Sequence, residues 1–167
     1  TNCKFENISG GKGAAIYSST SGQLLIDNCE FKNNNGTTII AVLENTEFTL
    51  KDTVIKNNEI SANGALYINS TRQNNTLEGS NIITDNYQSN ASVVANAYIG
   101  DPSKVTLKNP TNGTKISFCG SSSLDYIANV ELKDTSVLLG DYEWSVENKQ
   151  IKLSDGKLQI IDADEDE

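Results

Sequence analysis

The chain has 167 residues, a formal net charge of −9 and only 37% apolar residues. This acidity argues against nucleic acid or an anionic lipid surface as a partner, because either one requires a basic face. No apolar run reaches the roughly 20 residues that cross a bilayer, so we expect no membrane span in this segment. The 21 asparagines and 12 glycines, against two prolines, favour turns and short strands over helices.

From the first residues onward, a short apolar segment that ends in asparagine recurs four times. The central apolar residues are spaced 26, 24 and 28 positions apart, at Phe5, Phe31, Ile55 and Ile83. A second apolar step follows each of them after eleven residues, at Ile16, Val42, Leu66 and Val94. A constant internal spacing with connections of variable length is typical of stacked coils.

Alternation within these segments predicts which side chains point into the coil. Cys3, Phe5 and Asn7 lie at alternate positions of one strand, so all three are expected on its inner face. We expect the asparagines to stack as an amide ladder that Asp85 interrupts in the fourth unit. The predicted structural ladder comprises Cys3, Phe5, Asn7, Cys29, Phe31, Asn33, Ile55, Asn57 and Ile83.

A second apolar column continues into the C-terminal half of the chain, at Ile26, Leu50, Leu77, Leu107, Leu132 and Leu158. We therefore predict one all-β parallel solenoid domain over residues 1–167 with about five to six coils. Regular coils occupy about 1–100, degenerate coils or a cap occupy about 101–161, and an acidic tail covers 162–167. A hairpin of residues 142–146 with residues 150–153 is expected to close the end.

Two units resemble the polymorphic outer-membrane-protein repeat, which pairs an FxxN-like motif with a GGAI-like one. The matching segments are Asn2-Cys3-Lys4-Phe5-Glu6-Asn7 with Gly13-Ala14-Ala15-Ile16-Tyr17, and Asn28-Cys29-Glu30-Phe31-Lys32-Asn33-Asn34. This resemblance implies a right-handed parallel β-helix in a large adhesin-like surface or secreted protein, located outside the cell or at its surface. Because Thr1 enters the motif directly, further coils of the same longer chain are expected as partners.

Cysteine and carboxylate patterns predict neither a cofactor nor a metal site. Cys3 and Cys29 occupy equivalent positions in adjacent coils, where the Cα spacing suits a disulfide but parallel side chains hold the Cβ atoms slightly too far apart, so free stacked thiols are expected. Cys119 has no predicted neighbour, and the chain contains no histidine. The tail from Asp162 to Glu167 is expected to be solvated charge, because no calcium-loop glycine and closing glutamate follow it.

Three functional hypotheses follow. The first is a non-catalytic structural and interaction segment of an adhesin-like protein, with an extracellular protein or glycan as ligand. The second is an enzyme that acts on polysaccharides, with Asp52 beside Glu78 or Asp85 with Asp101 as paired carboxylates. The third is carbohydrate binding without turnover, with Tyr17 and Tyr67 as a candidate platform two coils apart.

Overall fold

The computed structural model describes residues 1–62, 64–89, 91–94, 96–120, 123–132, 138–144 and 148–163, with the main chain alone for 91–94. These residues form 21 strands and a 3₁₀ turn, Pro102–Lys104, and contain no α-helix. In chain order the strands are β1 (Lys4–Glu6), β2 (Ile16–Ser18), β3 (Gly22–Asp27), β4 (Glu30–Lys32), β5 (Asn35–Gly36), β6 (Ile40–Glu44), β7 (Thr46–Lys51), β8 (Val54–Lys56), β9 (Glu59–Ile60), β10 (Leu66–Ser70), β11 (Asn75–Glu78), β12 (Ile82–Thr84), β13 (Tyr87–Gln88), β14 (Ala91–Val94), β15 (Ala97–Ile99), β16 (Val105–Lys108), β17 (Lys115–Cys119), β18 (Tyr126–Glu131), β19 (Asp141–Trp144), β20 (Lys149–Ser154) and β21 (Lys157–Asp162).

The strands stack as a parallel β-solenoid of about five turns, as the repeat predicts. Three sheets run along it. The first sheet has the order β1-β4-β8-β12-β17-β15-β10-β6-β2, with β19 added to β17, and the second has the order β20-β21-β18-β16-β11-β7-β3. The third and smallest sheet has the order β14-β13-β9-β5.

The central apolar residue of each unit, defined above, is paired with that of the next unit. Phe5 pairs with Phe31, Phe31 with Ile55, and Ile55 with Ile83. At the second step, Ile16 pairs with Ile40 rather than Val42, and Leu66 pairs with Ile40 and Ala97. Val94 instead ends β14, which is antiparallel to β13. The predicted eleven-residue step therefore fails in the second and fourth units, because their connections differ in length.

Left-handed residues, mostly asparagine and aspartate, make two corners in each of the first four coils. One corner has positive φ at Asn2, Asn28, Asp52, Gly79 and Asn109, and the next has it at Asn7, Asn33, Asn57 and Asp85. Short polar side chains tolerate this conformation because they can hydrogen-bond locally. The asparagines that recur in the sequence therefore shape the corners of the solenoid.

The fifth coil is narrower than the coils before it. In the fourth coil, 14 positions separate Ile83 of β12 from Ala97 of β15. In the fifth coil, the single strand β17 pairs with both, through Ile116 and Phe118 respectively, which are two positions apart. The chain thus passes straight from one part of the first sheet to the other, and β17 adds no strand to the third sheet.

The C-terminal end differs from the predicted hairpin. β19 is parallel to β17, so residues 141–144 extend the first sheet. The hairpin is formed instead by β20 and β21, and β21 is also antiparallel to β18. Residues 145 and 146 of the predicted hairpin lie outside the described residues. The register of the second apolar column also shifts here, because Leu107 pairs with Val130 rather than with Leu132.

The core is a narrow column of fully buried side chains along the solenoid axis. Its largest members include Phe31, Phe48, Leu50, Ile55 and Phe118. Over the described ranges, the chain contains no helix with the length and apolar content needed to cross a membrane.

Candidate functional site

Buried asparagine amides form a hydrogen-bonded ladder along the solenoid. In the second and third units, the buried asparagine follows the predicted one by one residue. The ladder consists of Asn34, Asn58, Asn86 and Asn96, which are all buried. The side-chain nitrogen of Asn34 lies 3.0 Å from Asn58 Oδ1, that of Asn58 lies 2.8 Å from Asn86 Oδ1, and that of Asn86 lies 2.8 Å from Asn96 Oδ1. Each of these oxygens also accepts the backbone N–H of the preceding ladder residue.

The prediction that Asn7, Asn33 and Asn57 point inward is therefore wrong. All three are exposed, and their φ values lie between 54° and 58°. A left-handed residue interrupts the strict alternation of a strand, so the inward position passes to the residue that follows it. Asp85 belongs to this exposed corner column and does not interrupt the buried ladder.

The cysteines begin a second polar ladder in the first sheet. The backbone N–H of Cys3 lies 3.4 Å from Cys29 Sγ, that of Cys29 donates to Thr53 Oγ1, and that of Thr53 donates to Asn81 Oδ1. Cys3 is exposed because β1 is the end strand of the first sheet, whereas Cys29, at the equivalent position of the next coil, is buried. Both thiols are free, as is that of the buried Cys119.

Cys119 lies beneath the end of the asparagine ladder. Its thiol interacts with the backbone of Asn96, and burial raises the pKa of Cys119 to about 11 against the opposing effect of that hydrogen bond. Among the described residues, the Nδ2 atom of Asn96 is buried without a hydrogen-bond partner. The amide ladder therefore ends where the coil narrows.

Tyr17 and Tyr67 lie in one outward column of the first sheet, on either side of Ala41. Tyr17 is 54% exposed. Tyr67 is half-buried, its ring centroid lies 5.1 Å from that of Tyr98, and Lys12 Nζ lies 5.3 Å from its ring centroid. The two rings of the candidate platform therefore differ, because Tyr17 is open and Tyr67 is packed against Tyr98 and Lys12.

The carboxylates that the sequence suggested as catalytic pairs take part in local hydrogen bonds and in strand pairing. Asp52 Oδ1 accepts the backbone N–H of Ser80 at 2.7 Å. Glu78 lies in register between Lys51 and Lys108. Asp85 follows β12, whereas Asp101 follows β15 and accepts hydrogen bonds from Ser103 at the start of the 3₁₀ turn.

A polar groove of about 420 Å³ lies on the outer face of the solenoid where the coil narrows. It is lined by Thr84, Asp85, Asn86, Tyr87, Lys115, Ser117 and Glu143. These residues come from β12 and the corner after it, β13, β17 and β19. Parallel pairing of β17 with both β12 and β19 brings them together.

Hydrogen bonds hold the two groove carboxylates. Ser117 Oγ donates to Glu143 Oε2 at 2.8 Å, and Thr84 Oγ1 donates to Asp85 Oδ2 at 3.0 Å. Lys115 Nζ lies 3.9 Å from Asp141 Oδ2. Within the described ranges, no group of three or more histidine, cysteine, aspartate or glutamate side chains has the arrangement to hold a metal ion. In the acidic tail, Asp162 pairs with Lys149, and residues 164–167 lie outside the described residues.

Sequence reasoning missed Tyr87, Lys115, Ser117 and Glu143 as neighbours. These residues belong to segments that do not share one repeat spacing. They meet because β17 pairs with β12 and also with β19. One signal was present, since the spacing from Ile83 to Ile116 is 33 residues, against 24 to 28 for the earlier units. A break in the period of a solenoid marks the place where an outer face can become concave.

A parallel solenoid is the fold that the repeat resemblance implied. The stacked coils, the asparagine ladder and the groove are properties of the chain itself and do not identify a family. Comparison with protein-family models, with curated proteins and with solved structures found no match to this chain.

Proposed function

We propose that this chain is a non-catalytic structural and interaction segment of a larger adhesin-like protein that is secreted or held at the cell surface. Its partner is an extracellular protein or a glycan. The observation that carries the proposal is the unbroken register of the first sheet through four coils, from Phe5 through Phe31 and Ile55 to Ile83. A solenoid in constant register is a stiff element that presents outward side chains at strand spacing.

The polar ladders support this role, because they use inward amides to join the coils. The Asn58 side chain is hydrogen-bonded to Asn34 on one side and to Asn86 on the other. Its Nδ2 also donates to the backbone oxygen of Phe31 at 3.0 Å. Buried polar groups satisfied in this way hold neighbouring coils in a single register.

Localisation is tested with antibodies raised against the folded chain. Labelling of intact source cells, or recovery of the antigen from the medium, is the expected result. An antigen found only after permeabilisation would contradict the proposal. A cytoplasmic protein of the same cells, probed in parallel, reports any leakage.

The alternative, an enzyme that acts on polysaccharides, is tested by incubating the chain with neutral and anionic polysaccharides and measuring new reducing ends and unsaturated products. We expect no release above that of the heat-denatured chain. Release that disappears in Glu143→Gln would replace the non-catalytic proposal, because Glu143 is one of the two carboxylates in the groove.

A further inference from the structure

We propose that the groove at the narrowing of the solenoid is a binding site for a neutral oligosaccharide, with Tyr87 as its stacking platform. This assigns a ligand class to the interaction role proposed above and rests on that role. The groove has a volume of about 420 Å³, which falls in the range of about 300–1,000 Å³ typical of ligand sites. It is distinct from the column of Tyr17 and Tyr67, since it lies beside β17 and β19.

The groove exists because two neighbouring coils differ in width. The fourth coil carries β13, whose edge is paired with the antiparallel strand β14. The fifth coil omits this part of the path, because β17 runs directly from its pairing with β12 to its pairing with β15. The strand that carries Tyr87 therefore borders the same groove as Lys115 and Ser117 of β17. If the fifth coil followed the same path as the fourth, its strands would fill the groove.

Tyr87 supplies the aromatic surface. It is 50% exposed, although its backbone N–H is fixed by a bond of 3.0 Å to the backbone oxygen of Asn58. A tyrosine held by its main chain but open at its ring costs little conformational entropy when it binds a ligand. One face of a pyranose ring is apolar, and an exposed aromatic ring at the wall of a polar groove is suited to contact it.

The remaining lining offers hydrogen-bond donors and acceptors suited to hydroxyl groups. Glu143 and Asp85 provide carboxylate oxygens, and Lys115 provides an ammonium group. Glu143 is oriented by its bond of 2.8 Å from Ser117, whose side chain is buried. A sugar hydroxyl both donates and accepts, so it can bond to the carboxylate and to the ammonium at once.

The negative charge of the groove favours neutral saccharides over anionic ones. Of the residues that the structure describes, two carboxylates and one lysine line the groove, and the whole chain carries a net charge of −9. Uronate or sulfated chains would therefore meet electrostatic repulsion in the groove and from the molecule as a whole. A neutral oligosaccharide avoids this cost and still uses the hydrogen-bonding groups.

The experiment uses the full 167-residue chain and isothermal titration with the neutral tetrasaccharides of cellulose, mannan, β-1,3-glucan and starch, and with tetragalacturonate. At least one neutral tetrasaccharide is expected to bind, and tetragalacturonate is not. Tyr87→Ala should weaken binding at least about tenfold, as loss of an aromatic anchor does. Tyr87→Phe should keep binding, and Glu143→Gln should weaken it.

Tyr17→Ala is the matched control, because Tyr17 is 54% exposed and Tyr87 is 50% exposed, but only Tyr87 lines the groove. It should bind as the unchanged chain does. The proposal is overturned if no neutral tetrasaccharide binds at concentrations up to about 10 mM, ten times the millimolar range of weak specific binding. It is also overturned if Tyr17→Ala, and not Tyr87→Ala, abolishes binding. Surface labelling without saccharide binding would leave the proposed role standing and remove only this ligand.

Discussion

Asn58 and Asn86 are joined through one oxygen, because Asn86 Oδ1 accepts both the side-chain Nδ2 of Asn58 at 2.8 Å and its backbone N–H at 3.1 Å. The same arrangement relates Asn34 to Asn58. Every amide in the middle of the ladder therefore serves the backbone of the coil before it. The ladder couples the corners of the second, third and fourth coils, and its last bond, from Asn86 to Asn96, lies within the fourth coil.

Asn58→Ala tests this coupling. The change leaves the buried N–H of Asn34 and the backbone oxygen of Phe31 without these partners. Each unsatisfied buried group costs about 1–3 kcal/mol, so we expect a loss of about 3–5 kcal/mol in the free energy of unfolding, measured by urea denaturation. The control is Asn57→Gly, at an exposed residue with φ of 56°. Glycine favours that conformation, and an equal loss in the control would contradict the role of the ladder.

Phe31 and Phe5 should differ in their contribution to stability although their rings stack. The ring centroids are 4.5 Å apart, but Phe31 is fully buried and Phe5 is only half-buried. We expect Phe31→Ala to cost about 3–5 kcal/mol, the range for a buried phenylalanine. Phe5→Ala should cost clearly less, because water already reaches its ring. Thermal and urea unfolding of the two variants, compared in one buffer, would refute this order if the losses were equal.

The three thiols should react at different rates with a maleimide at pH 7.5. Cys3 is exposed, whereas Cys29 and Cys119 are buried. Burial also raises the pKa of Cys119 to about 11, so almost none of it is thiolate at this pH. Intact mass spectrometry should show one rapid addition to the folded chain and three additions in denaturant. Cys3→Ser should remove the rapid addition, and any rapid label in that variant would contradict the burial of Cys29 and Cys119.

Alkaline pH should destabilise the fold through Cys119 and Tyr142. Burial raises the pKa of both groups in the folded chain, and the Tyr142 hydroxyl also donates to the backbone oxygen of Leu139 at 2.7 Å. The unfolded chain therefore releases these protons first, and stability falls as pH rises from about 9 for Cys119 and from about 10 for Tyr142.

The measurement is urea unfolding at pH 7, 9, 10 and 11. The loss per pH unit is at most about 1.4 kcal/mol for each group, because each releases one proton. Cys119→Ala should flatten the profile between pH 9 and 11, and Tyr142→Phe should flatten it above pH 10. An unchanged slope in both variants would mean that other groups cause the alkaline loss.

The sequence alone determined the solenoid, because its signals are local and repeated. Alternation placed Phe31 and Ile55 on the inner face, and their spacing put them in register. Stacked identical strands bury the same positions in every coil, so periodicity is enough to predict which apolar residues meet.

Only the tertiary structure decided which asparagine turns inward and where the groove lies. Asn33 and Asn34 are neighbours of the same type, and the left-handed φ of Asn33, imposed at the coil corner, sends Asn34 into the core. The groove depends on β17 pairing with both β12 and β15, a contact between segments that share no period. Backbone conformation at a corner and pairing across unequal coils are set by the whole stack, and the only trace of the narrowing in the sequence is the longer spacing from Ile83 to Ile116.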